Sequence, residues 1–154
     1  MQCRTGKVIL LVEDNPNDEE LTRLAFEQNH IMNPVVVARD GVQALDYLFG
    51  RGAHEARDLS LMPQVIVLDL KLPKLTGLEV LQAVRADERT SCVPVVILTS
   101  SKEEEDIVRA YKLGTNAYVQ KPVDFLQFTD AVKQLGLFWL LLNESPQVPV
   151  VPLR

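Results

Sequence analysis

The sequence predicts an α/β fold in which helices cover both faces of a parallel sheet. Three observations carry that reading. Short, continuous runs rich in Val and Ile recur along the chain, stretches with helical spacing separate them, and 154 residues match the usual size of one domain.

The runs lie at residues 8–12, 35–38, 65–68 and 95–98, with 117–119 as a weaker fifth. A strand with one wet face would alternate apolar and polar residues, so unbroken runs read as strands buried on both faces. Leu21, Leu24 and Ala25, then Leu45, Leu48 and Phe49, then Leu78, Leu81 and Val84 mark the intervening helices. Right-handed crossovers would join successive strands.

Helix boundaries are written into the sequence as well. Asn15 before Pro16 places an N-cap ahead of a residue pre-set for the first helical position. Thr76 with Glu79 and Ser101 with Glu104 match the capping box, and Asp40 with Gln43 is a looser version. Gly50 and Gly52 end the second helix and Gly114 the fourth. The acidic run at Glu103, Glu104, Glu105 and Asp106 suits a helix N-terminus.

Composition removes several function classes. The 16 Lys and Arg against 21 Asp and Glu leave a net charge of −5, which argues against a binder of the nucleic-acid backbone. No apolar run approaches the length of a membrane span, and residues 1–6 carry no targeting pattern. Cys3 and Cys92 are too few for a disulfide framework and form no zinc motif, which fits a cytoplasmic protein.

In an open parallel sheet the ligand site lies beyond the carboxyl ends of the strands. The first polar residues after the runs are Glu13 and Asp14, Asp69, Thr99 and Lys121. Three carboxylates brought together repel unless a cation neutralises them, and an all-oxygen cluster suits Mg2+. A hydroxyl from Thr99 and an ammonium from Lys121 could then bind phosphoryl oxygens. Taken singly, Asp14, Thr99 and Lys121 are ordinary turn, strand-end and surface residues. Asp69 is different, because an acid ending a buried run is costly unless paired or metal-bound.

The ordered set Val-Glu-Asp-Asn at 12–15, Asp-Leu-Lys-Leu-Pro at 69–73 with Gly77 beyond, Leu-Thr-Ser at 98–100 and Lys121-Pro122 resembles the response-regulator receiver domain. The resemblance runs from about Lys7 to Leu142. It implies a flavodoxin-like, doubly wound five-stranded sheet in the order 2-1-3-4-5 with five helices. It also implies Asp69 as phosphoacceptor, Asp14 as a direct Mg2+ ligand, Glu13 acting through water, and Lys71 contributing a backbone carbonyl. Thr99 would be the switch hydroxyl, Lys121 the phosphate-binding lysine and Tyr118 the aromatic switch. Pro73 and Gly77 would shape the site, and the Lys121–Pro122 peptide is often cis in this family. The implied function is that of a two-component signalling protein, phosphorylated by a histidine kinase and reset by hydrolysis.

Little sequence follows the expected last helix, so the expectation is a stand-alone receiver whose output is protein contact. The domain would span 7–145, between an extension at 1–6 and a tail at 146–154. Residues 125, 128, 132, 135, 139 and 142 form one core-facing stripe, but 137–142, Leu-Phe-Trp-Leu-Leu-Leu, is apolar on every side. Phe138, Trp139, Leu141 and Leu142 are therefore candidates for a dimer interface, and the Pro-punctuated tail for an arm across the partner. This ending, the segment 41–49 and the long insert at 50–62 resemble the small response regulators paired with phytochrome histidine kinases. Members of that subgroup tend to dimerise through the face of the fourth helix, fifth strand and fifth helix. His30 and His54 read as incidental. Two competing readings are an Mg2+-dependent phosphohydrolase and a pseudo-receiver adaptor. The first would commonly place an acid two residues after its nucleophile, where Lys71 stands, and the intact residue set disfavours the second.

Overall fold

The computed structural model describes residues 6–28, 30–100 and 104–120. Within them β1 (Ile9–Val12), α1 (Pro16–Gln28), β2 (Val35–Ala38), α2 (Gly41–Phe49), β3 (Val65–Leu68), α3 (Gly77–Ala86), β4 (Val95–Thr99), α4 (Glu104–Lys112) and β5 (Ala117–Gln120) alternate. All pairings are parallel and the strand order is 2-1-3-4-5. The expected fifth helix, with Phe138, Trp139, Leu141 and Leu142, lies outside the described residues.

Alternate residues of β1, β3 and β4 feed two separate cores. Leu10, Val12, Ile66, Leu68 and Ile97 pack with Tyr47, Leu48, Leu81 and Val84 from α2 and α3, while Ile9, Leu11, Val67 and Val96 pack with Ala25 and Phe26 of α1. This two-sided burial is why β1 and β3 read as unbroken apolar runs. β2 departs from the expectation. Its Val35, Val36 and Val37 are only half-buried, because β2 has a neighbour on one side alone and forms the sheet edge.

The capping signals act largely as read. The Asn15 side chain accepts from the backbone N–H groups of Asn17 at 2.8 Å and Asp18 at 3.1 Å. Thr76 and Glu79 form the reciprocal capping box. Asp40 caps α2, accepting from the Gln43 N–H at 2.7 Å, but the Gln43 side chain reaches the N–H of Arg39 rather than of Asp40. Gly50, at φ 66°, ends α2 in the left-handed conformation that a side chain would disfavour. Gly52 opens a short 3-10 turn, Gly52–His54, instead of ending the helix. Ser101 lies outside the described residues.

Helix α1 turns a different face inward than its leucines suggest. Leu21 and Leu24 are 40% and 39% exposed, and Thr22, Ala25 and Phe26 are buried. The ring of Phe26 supplies the larger apolar payload, and the i, i+3, i+4 stripe that includes it begins at Thr22.

Two cationic clasps went unread in the sequence. Arg57 lies over the Tyr47 ring at 4.4 Å and donates to the carbonyls of Tyr47, Leu48 and Leu61, tying the 50–62 insert to α2. His54 meets the same ring edge-on at 5.1 Å, so it is a packing residue and not incidental. Arg85 donates to the carbonyls of Gly114, Ser91 and Val93 and to the Asn116 side chain, joining α3 to the segments that enter β4 and β5. Burial among these neutral acceptors lowers its pKa. Cys92 is exposed in the turn before β4.

Candidate functional site

Strands β1 and β3 are neighbours in register, with Val12 opposite Leu68, so the residues that follow them emerge side by side. Glu13 and Asp14 leave β1, and Asp69 leaves β3 with its N–H donating to the Val12 carbonyl at 3.1 Å. The result is a compact acidic cluster. One carboxylate oxygen from each of Glu13, Asp14 and Asp69 lies within 4.8 Å of the others. Glu13 and Asp69 are 2% and 8% exposed, while Asp14 faces solvent.

Local bonds orient these acids. The Glu13 carboxylate accepts from the Asn15 N–H at 3.2 Å, and that of Asp69 accepts from the Lys71 N–H at 3.4 Å. In α1, Glu19 holds Arg39 at 2.6 Å and Arg23 at 3.0 Å, linking the first turn of α1 to the end of β2. Burial raises the Glu19 pKa, but the hydrogen bonds from Arg23 and then Arg39 outweigh it, and the net shift is downward. Three like charges this close, two of them withdrawn from water, fit a hard divalent cation with oxygen ligands.

The loop from Asp69 to α3 is tightly built. The Gly77 N–H closes its base on the Leu70 carbonyl at 2.8 Å. A methyl group at Gly77 would collide with the Asp69 carbonyl and lie 2.6 Å from the Leu70 Cα, so only glycine allows α3 to begin there. Farther along, the Leu75 N–H bonds back to the Pro73 carbonyl at 2.8 Å around Lys74, which has φ 69°. This is a γ-turn of the rare positive-φ kind, and a non-glycine residue in it carries strain of about 1–3 kcal/mol. Proline and lysine gave no sequence signal for it.

The remaining expected site residues are placed by backbone register. Thr99 ends β4 opposite Gln120, and Tyr118 lies in β5 opposite Ile97. Both strands open onto the same sheet edge as β1 and β3, which is where the sequence expects these two residues. Lys71 and Pro73 are exposed in the loop. Lys121 and Pro122, with the peptide expected to be cis, lie outside the described residues.

Comparison with known proteins agrees with this arrangement. Residues 9–133 match the family model described as the response regulator receiver domain. The probable methanogenesis regulatory protein FilR2 of Methanothrix harundinacea is 41% identical over 139 residues, 90% of this chain and 87% of its own length. Among solved structures, the phosphorylated cyanobacterial phytochrome response regulator RcpA superposes with a TM-score of 0.81 at 38% identity, covering 88% of this chain and 95% of its own. The Mn2+-bound form of response regulator Rcp1 gives 0.80 at 32% identity, covering 96% and 100%. The bacteriophytochrome response regulator RtBRR gives 0.74 at 56% identity, covering 86% and 80%. With the sheet order, the acidic cluster and a family match across most of its length in agreement, the chain belongs to the response regulator receiver domain family, homologous to the phosphorylatable regulators of two-component signalling.

Proposed function

We propose that this receiver takes a phosphoryl group from a sensor histidine kinase onto Asp69, in an Mg2+-dependent reaction, and signals through protein contact. The supporting observation is the buried convergence of Glu13 and Asp69 with Asp14 at the carboxyl edge of the sheet. Asp14, Asp69, the Lys71 carbonyl and, through water, Glu13 would hold the ion. When bound, Mg2+ supplies charge neutralisation to the phosphoryl oxygens.

The chain's own residues do the rest. An oxygen of Asp69 attacks the phosphorus of a phosphohistidine, the P–N bond breaks, and the imidazole leaves with its electron pair. Burial and the Lys71 N–H hold the attacking carboxylate in place before reaction, so little reorganisation is required. Lys121 and the Thr99 hydroxyl bind the new phosphoryl oxygens. Inward movement of Thr99 makes room for Tyr118, which changes the face carried by α4 and β5, a local charge event biasing a two-state element. Hydrolysis of the acyl phosphate resets the protein, and receivers of this family are generally not metabolic enzymes.

Phytochrome response regulators among the similar structures support a phytochrome as the kinase. Exposed Val108 and Tyr111 on α4 supply apolar surface for an output contact. We assign the homodimer interface to that face together with Phe138, Trp139, Leu141 and Leu142, the receiver to residues 7–145 and a partner-spanning arm to 146–154. The acidic net charge argues against nucleic acid as a partner, and no helix among the described residues is long and apolar enough to cross a membrane. A kinase donor places the work in the cytoplasm. A phosphohydrolase is not favoured, because Lys71 stands where its acid/base carboxylate would be.

Phosphotransfer tests the proposal. A histidine kinase carrying labelled phosphate should lose label to the wild-type chain within minutes and retain it with Asp69→Asn. Equal transfer to both proteins, or none to either, would overturn it.

A further inference from the structure

The loop that carries Lys71 is held from outside as well as at its base, and the outside hold comes from the start of α2. The Gly41 N–H reaches the Pro73 carbonyl at 3.4 Å, and the Lys74 ammonium lies 3.4 Å from the Asp40 carboxylate. Contact is closest at Gly41, where an added Cβ would sit 2.5 Å from the Leu75 Cβ and 2.6 Å from the Leu75 carbonyl oxygen. Asp40 is buried and already engaged as the α2 cap, so its second oxygen is fixed in place to face Lys74. These contacts fall on Pro73, Lys74 and Leu75, the three residues of the strained γ-turn.

We infer that Asp40 and Gly41 are positioning residues for the metal site: the N-terminus of α2 clamps the γ-turn and thereby sets where the Lys71 carbonyl stands. Neither residue belongs to the acidic cluster. A strained turn persists only where its surroundings over-determine it, and here the surroundings are one hydrogen bond, one ion pair and one backbone contact that leaves no room for a methyl group. Supporting contacts outside a ligand set typically change metal affinity by 10–100-fold. This inference deepens the proposed function and rests on it.

The test is Mg2+ titration calorimetry on the full chain, together with amide hydrogen exchange at residues 70–77 in metal-free protein. Gly41→Ala should weaken Mg2+ binding about tenfold and speed exchange in the loop before any metal is added. Asp40→Asn keeps the cap and removes the charge facing Lys74, so it should shift both readouts in the same direction by less, and it stands in if Gly41→Ala does not fold. Ala44→Gly, a buried change later in α2, controls for general loss of stability and should lower the melting temperature without moving either readout. Wild-type Mg2+ affinity in both Asp40→Asn and a folded Gly41→Ala would overturn the inference, as would an equal loss in Ala44→Gly. Failure of the wild type itself to bind Mg2+ would instead overturn the functional reading beneath it.

Discussion

Gly77 lies directly against Asp69: a side chain at Gly77 would overlap the Asp69 carbonyl, so the first residue of α3 and the candidate phosphoacceptor are in backbone contact. The packing of the third helix and the placement of the reactive carboxylate are thus one constraint. Gly77→Ala should cost about 1–3 kcal/mol through forced overpacking, read from urea denaturation. It should also slow phosphorylation more than a remote substitution of equal cost. A stable Gly77→Ala protein with unaltered phosphorylation would show that α3 can retreat without moving Asp69.

Arg85 works at the opposite edge of the sheet, on the segments that enter β4 and β5. Arg85→Met removes the hydrogen bonds from its charged guanidinium to these acceptors, a loss of about 1–3 kcal/mol. Mg2+ affinity should stay at its wild-type value, because the acidic cluster is at the other ends of the strands. Calorimetry with and without Mg2+ separates the two quantities, and a matching loss of metal affinity would contradict this assignment.

The sequence made this division legible only in part. Strands β1 and β3 announce themselves because both faces are buried, and the capping residues at 15, 40 and 76 fix helix starts by bonds local in the chain. Glu13, Asp14 and Asp69 are findable because each follows such a run. Arg57 and Arg85 are not, since most of their acceptors are backbone carbonyls, up to 29 residues away for Arg85, and no residue type marks a carbonyl. The γ-turn at Lys74 is likewise silent, because its conformation is imposed by α2 and not by lysine. The spacing of Leu21, Leu24 and Ala25 marks α1 as a helix but does not tell which stripe faces inward, because Phe26 carries the larger ring.

Arg57 should prove to be the clasp of the insert. Arg57→Ala removes its stacking on Tyr47 and four carbonyl contacts, so limited proteolysis should cut within residues 50–62 several-fold faster while the rest of the domain resists. Uniform acceleration across the chain would indicate global destabilisation instead.

One acid titration follows from a surface pair. The hydrogen bond from the Arg89 side chain, then that from its backbone N–H, lowers the Asp87 carboxyl from 3.8 to about 2. A depressed carboxyl contributes stability above its unfolded value and loses it as pH falls through the folded one, so the contribution should disappear between about pH 4 and pH 2. Carboxyl-carbon NMR should place the Asp87 midpoint near 2 and return it towards 3.8 in Arg89→Ala. An unchanged midpoint in that variant would refute the pairing.

For assembly, a charged residue at Phe138 or Trp139 should convert a dimer to a monomer in light scattering at micromolar concentration. A monomeric wild type would contradict the assigned interface.

The central claim is that Asp69 accepts a phosphoryl group in a cluster built to hold Mg2+. Intact mass measurement after incubation with a small phosphodonor tests it most directly. One acid-labile phosphoryl group is expected on the wild type with Mg2+ present, and none in chelator or on Asp69→Asn. Labelling that persists in chelator, or that is undiminished in Asp69→Asn, would contradict it.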